Sequence, residues 1–123
     1  MVEILRSNEV LAVPIDVPVA SEDRARAVSV DFLGQQILFL PGSVSIAQIT
    51  TSPVLALVVR RSADWQHQIV EISPPVPMDG GIEAAFRRCI AMVEAPIHQC
   101  PAFWDFWRSA NSLVDLGLLS TER

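Results

Sequence analysis

Apolar and polar positions divide the chain into short runs whose period changes from one to the next. Residues 10–15 (VLAVPI) are apolar and close on Asp16, which reads as a buried strand, with Pro14 and Pro18 favouring an edge or an early stop. Residues 21–27 are the most polar stretch and read as a surface loop. Val28, Val30 and Phe32 alternate with Ser29 and Asp31, the pattern of a half-buried strand. Gly34-Gln35-Gln36 turns the chain into a second apolar run, residues 37–40. Pro41-Gly42-Ser43 opens a helix with Ser43 at its N-cap and Val44 and Ala47 on its inner face. Pro53 ends that helix, because the residue before a proline avoids the α region.

Residues 54–59 (VLALVV) are apolar at every position, which predicts a strand covered on both faces. Residues 65–72 alternate and predict its hairpin partner, with Arg61-Ser62-Ala63-Asp64 in the connecting loop. The segment SPPVPM is a proline linker. Residues 82–95 carry Ile82, Ala85, Phe86, Cys89, Ile90 and Val93 on one face at helical spacing. Glu83 and Arg87 form an i,i+4 pair on the same helix. Pro96 is expected to end or kink it. Pro101 starts a second helix that carries Phe103, Trp104, Phe106 and Trp107, and Trp104 or Trp107 is expected to be the buried ring. Leu113 and Leu116 mark a weakly amphipathic end. The order β, β, α, β, β, α, α implies an α/β fold, a small sheet of about four strands flanked by helices. Residues 1–123 read as a single domain, with 109–123 as a C-terminal tail.

Composition narrows the function. Half of the 123 residues are apolar and the mean hydropathy is +0.36, a surplus that points to a partner surface or a lipid-facing groove. The longest uncharged stretch, residues 32–59, is broken by Pro41, Gly42 and Pro53 and reads as buried structure rather than a membrane span. The net charge is −5 and every basic side chain is an arginine, so the basic footprint of a nucleic-acid binder is missing. The N-terminus MVEILRSNEV lacks the pattern of a secretory signal, and a cytoplasmic protein is expected. Cys89 and Cys100 read as two reduced thiols, with a disulfide as the alternative. No metal-ligand spacing surrounds them, and we expect neither a metal nor a cofactor.

Candidate chemistry is sparse. There is no GxSxG, HExxH or glycine-rich phosphate loop with lysine. His98-Gln99-Cys100 brings an imidazole and a thiol close in sequence, but side chains two apart do not face each other on a helix. Gly42-Ser43 at a helix start could offer free N–H groups to an anion. Arg60 and Arg61 end an apolar strand, where a guanidinium can clamp phosphate or simply finish a solvated hairpin.

Taken together the pieces resemble the C-terminal half of the bacterial lipid A biosynthesis (lauroyl/myristoyl) acyltransferases and the related phosphatidylinositol mannoside acyltransferases. The resemblance rests on the apolar strand ending at Asp16, the turn Phe32-Leu33-Gly34, the step Pro41-Gly42 with Ala47, and the strand from Ser52-Pro53-Val54 to Arg60 or Arg61. It continues through the proline linker to Glu94, Pro101, Trp104 and Trp107. It implies half of a glycerolipid-acyltransferase-like fold. It also implies a site lined by Asp16, Gly42, Arg60 and Arg61, fed by acyl-CoA or acyl carrier protein and a lipid acceptor, and peripheral contact with the inner membrane. The family's base is the histidine of a His-x4-Asp/Glu motif, in the half that would precede Met1. Here the residue five beyond His67 is Ile72 and the one five beyond His98 is Phe103, so no catalytic residue is assigned. We therefore expect a chain inactive alone that needs a complementary half. The alternative is a non-catalytic α/β interaction or lipid-binding module that forms a homodimer. Either way a homo-oligomer is expected, since uncovered strands invite a partner.

Overall fold

The computed structural model describes residues 1–17, 19 and 21–104. In chain order they form α1 (Val2–Arg6), a 3-10 turn (Ser21–Arg26), β1 (Val28–Phe32), β2 (Gln35–Phe39), α2 (Gly42–Thr50), β3 (Leu57–Arg61), β4 (Gln68–Ile72), α3 (Gly81–Gln99) and a second 3-10 turn (Pro101–Phe103). The fold is a small α/β one with four strands and flanking helices. The strands pair as two antiparallel ribbons, β1–β2 and β3–β4.

The first ribbon follows from alternation. Val30 lies opposite Ile37 and Val28 opposite Phe39, so the apolar parity of both strands shares one face. Val30, Phe32, Ile37 and Phe39 are buried on that face. The other parity is polar: the Ser29 hydroxyl donates to Gln36 Oε1 at 2.8 Å, and the Gln36 amide donates to Asp31. Leu33 and Gly34 form the two-residue loop with φ of 52° and 77°, the positive pair that a type I′ hairpin requires. Leucine pays for that conformation, at about 1–2 kcal/mol. Two contacts hold it there. Its side chain packs on the core, and its N–H donates to Glu94 Oε1 of α3 at 2.8 Å.

Helix α3 covers the buried face with Ala85, Phe86, Cys89 and Ile90. Gly80 caps its start at φ 82°, where an added Cβ would stand 3.0 Å from that of Ala84. The helix runs through Pro96 to Gln99 instead of stopping there. Proline removes one N–H, but Ile97 beyond it is buried in the core and Cys100 N–H bonds to the Pro96 carbonyl at 3.0 Å, so the last turn is retained. Trp104 follows the second 3-10 turn and is buried, its ring 5.3 Å from that of Phe32, which in turn meets Phe39 edge-on at 5.4 Å. The described start of the helix expected after Pro101 is thus a 3-10 turn, with Trp104 extended. The Phe103 side chain, Phe106, Trp107 and the tail lie outside the described residues.

Helix α2 begins at Gly42 with Pro41, not Ser43, as its N-cap; the Pro41 carbonyl takes both the N–H and the hydroxyl of Ser45, at 3.0 and 3.1 Å. Residues 10–15, expected as a buried strand, form no helix or strand; Pro14 within the run has no N–H to give a ladder. The run at 54–59 is also not covered on both faces. Regular pairing starts at Leu57, and Val54 and Ala56 join the proline linker through Val76 N–H at 2.8 Å and Ser73 N–H at 2.9 Å. Leu55, Leu57, Val59, Val70 and Ile72 are each between 46% and 62% exposed. Strand β4 starts at Gln68 rather than 65, because Trp65 takes a φ of 61° in the loop.

Replacing Trp104 with alanine is expected to cost about 3–5 kcal/mol in a urea melt, since it empties a core position. Phenylalanine there should cost on the order of 1 kcal/mol, since it keeps the ring stack and loses mainly the indole N–H bond. Burial pushes the Cys89 thiol up from its ordinary value, while Cys100 is only half-buried. A thiol reagent at neutral pH should therefore label Cys100 first and reach Cys89 only on unfolding, which mass mapping of labelled peptides checks.

Candidate functional site

A groove of about 950 Å³ runs between residues 8–16 and the strand side of residues 52–60. Val10, Val13 and Ile15 line one side, and Val54, Leu57 and Val59 the other. Val44 and Ala47 from α2 and Cys89 and Val93 from α3 reach it from the core. Core residues of α2 and α3 thus form part of this groove's wall, which is why it is apolar. A second hollow, beside α1, is lined by Met1, Val2, Glu3, Arg6 and Ile46 and holds none of the candidate site residues.

Two of the four sequence-derived site residues line the groove, Asp16 and Arg60. Asp16 is half-buried, and its carboxylate accepts the Trp104 indole N–H at 3.2 Å, a contact 88 positions apart in sequence. Arg60 is held by Glu71 across the ribbon, with its Nε and a terminal nitrogen both 2.7 Å from Glu71 Oε1. Both groups arrive already paired, so each presents an oriented charge rather than a mobile one. Gly42 is exposed and does not line the groove, though Ser43 beside it does. Arg61 points to the opposite face of the ribbon and lies over the Trp65 ring, 5.8 Å from its centroid.

The two imidazoles are elsewhere. His67 sits exposed at the hairpin end, 3.8 Å from Asp64, whose carboxyl is held below its ordinary value by the Ser62 hydroxyl and then by the Gln66 N–H. His98 is exposed on α3, its Nε2 3.0 Å from Glu94 Oε1, the oxygen that also accepts the Leu33 N–H. This carboxylate–imidazole pair is chemically competent to hold a base in one orientation. Its i,i+4 spacing was readable in the sequence, had the helix been carried through Pro96. It nevertheless lies outside the groove lining, although its neighbours Pro96 and Ile97 belong to it. Among the described residues no group of three or more His, Cys, Asp or Glu side chains could hold a metal ion.

The family model described as bacterial lipid A biosynthesis acyltransferase matches residues 1–108. No curated protein and no solved structure matches the chain. The match takes in both ribbons, α2, α3, the Asp16–Trp104 contact and the whole groove lining. On that coverage, this chain belongs to the bacterial lipid A biosynthesis acyltransferase family.

Proposed function

We propose that the chain is the lipid-handling half of an acyltransferase, unable to turn over alone. The observation that carries this reading is the apolar groove, with a paired carboxylate at Asp16 and a paired guanidinium at Arg60 among apolar walls. Such a groove suits the hydrocarbon of a fatty acyl group, which asks for buried apolar area and no specific hydrogen bonds. The acyl donor in this reading is a thioester on coenzyme A or acyl carrier protein, and the acceptor a hydroxyl of a lipid or sugar. Attack by that hydroxyl forms the C–O bond, breaks the C–S bond and passes the hydroxyl proton to a base within hydrogen-bond reach. Neither histidine of the chain lines the groove and neither has an acid five residues on, which supports a base supplied by a complementary half. The proposed location is peripheral to a membrane. No helix among the described residues is long and apolar enough to cross one.

The second reading, a homodimeric module without turnover, draws on the open face of β3–β4. There Leu57 pairs with Ile72 and Val59 with Val70, all exposed, and Leu57, Val59 and Ile72 continue into the groove lining while Val70 does not. An exposed apolar ribbon of this kind is a natural contact for another copy. Both readings predict an assembly, the first with a different chain and the second with itself.

Three outcomes are expected. The pure chain should show no transfer from acyl-CoA or acyl carrier protein to a lipid hydroxyl; turnover lost on changing His67 or His98 to alanine would overturn the two-half reading. Light scattering at micromolar concentration should find a homo-oligomer, most simply a dimer; a monomer would remove the homodimer reading. Changing Val70, which is exposed and does not line the groove, to aspartate should break that dimer while leaving the buried β1–β2 face, and hence near-ultraviolet dichroism, unchanged.

A further inference from the structure

The exposed face of β3–β4 carries more than its apolar side chains. Positions 57, 59 and 61 lie directly opposite 72, 70 and 68, so Leu57, Val59, Arg61, Gln68, Val70 and Ile72 share one face, and all are exposed. That face runs from two apolar pairs to a guanidinium at the hairpin end, and none of its positions is acidic. Among the described residues Arg61 has no carboxylate partner, whereas Arg60 on the opposite face is held by Glu71. The hairpin loop adds an indole. Trp65 takes a φ of 61°, an unusual conformation for a bulky side chain. The loop fixes it there with its own bonds: Trp65 N–H to the Ser62 carbonyl at 3.0 Å, His67 N–H to the Ser62 hydroxyl at 3.0 Å, and Gln66 N–H to Asp64 at 3.1 Å. Ser62 and Asp64, the loop's one carboxylate, are thereby engaged within the loop, while the Trp65 ring stands 58% exposed beside the Arg61 guanidinium.

We infer that this face and the Trp65 loop are the surface by which the chain docks on a phospholipid bilayer, with the Trp65 ring at headgroup depth and Arg61 on a lipid phosphate. The amphipathic indole favours that depth, and a guanidinium takes phosphate oxygens with two parallel N–H bonds. The apolar pairs behind them lie along the boundary between headgroups and hydrocarbon. Charges farther than about 10 Å from the contact are largely screened, so the net charge of −5 weighs little against a face without carboxylates. The same charge pattern selects lipid over a second copy. A two-fold contact sets this face against itself, which covers the apolar pairs but offers Arg61 no counter-charge. Leu57, Val59 and Ile72 also line the groove, so docking sets the groove beside lipid and an acyl chain enters it without crossing water. The inference rests on the acyl-groove reading for its purpose, though not for its test.

Co-sedimentation of the full chain with vesicles of phosphatidylcholine and phosphatidylglycerol tests it, with Trp65→Gly and Arg61→Gln as variants. Glycine accepts the positive φ and glutamine keeps an exposed polar side chain, so both should retain the urea midpoint of the unmodified protein. The unmodified chain should bind; Arg61→Gln should weaken binding about fivefold and Trp65→Gly at least as much. Should Trp65→Gly lower the urea midpoint, Trp65→Asn, which also tolerates the positive φ, carries the same comparison. No binding by the unmodified chain, or undiminished binding by either variant, would overturn the inference. So would variants that turn a dimer into a monomer in light scattering while vesicle binding stays the same, which assigns the face to a second copy. Native mass spectrometry of the same preparation reads the groove separately. A retained fatty acid without vesicle binding overturns the docking surface and leaves the acyl reading intact. Vesicle binding that both variants weaken, with no fatty acid retained, supports the docking surface and counts against the acyl reading.

Discussion

The contact on which the other placements depend is the one between the buried face of β1–β2 and α3. A two-stranded ribbon is marginal on its own in water. This one becomes stable by pressing Phe32, Phe39, Val30 and Ile37 on Phe86 and Ile90, with Trp104 closing the aromatic stack. That contact aligns α3, and Glu94 then registers the two by taking the N–H of the strained Leu33. One carboxylate oxygen thereby ties the tip of the hairpin to the end of a helix 61 residues later. Once α3 is placed, Val93 and Ile97 further along it reach the groove, with Cys89 shared between groove and core.

The second ribbon has the opposite character. Its pairing is regular, and Arg60 and Glu71 brace it from one side, but the other face presents Leu57, Val59, Val70 and Ile72 to solvent. A small domain that leaves such a face open forgoes stabilisation of about 25 cal/mol per Å² of apolar surface left uncovered. The charged groups near the groove show the same economy. Asp16 and Arg60 are each engaged by a neighbour, so these charges come to the groove with partners already in place.

How much of this was legible varies with the element. The alternation at 28–32 and the helical spacing at 82–93 are strong local signals, and the structure places both elements over those residues because local preference and burial agree. The pairing of β1 with residues 37–39 was less visible, since a short apolar run is compatible with either a strand or the start of a helix. Trp104 was legible only as one of two rings expected in the core, the other being Trp107, and its indole bond to Asp16 depends on a contact across 88 positions that no spacing announces. Of the site residues, Asp16 and Arg60 share the groove, but Gly42 and Arg61 do not line it, Arg61 lying instead over the Trp65 ring at the hairpin end.

The sequence by itself determined the types of the elements at 28–32, 37–39, 43–50 and 82–95, the class of fold, the absence of a His-x4-acid motif, and the apolar character that makes a lipid groove reasonable. Those depend on residue type and period, which are local. Only the tertiary structure decided that the run at 10–15 stays unpaired, that the all-apolar run at 54–59 is covered on one side and open on the other, and that α3 continues through Pro96 far enough to bring Glu94 beside His98. Apolarity states that a residue favours burial; which surface buries it is settled by the competition among all the faces of the chain for the same few partners.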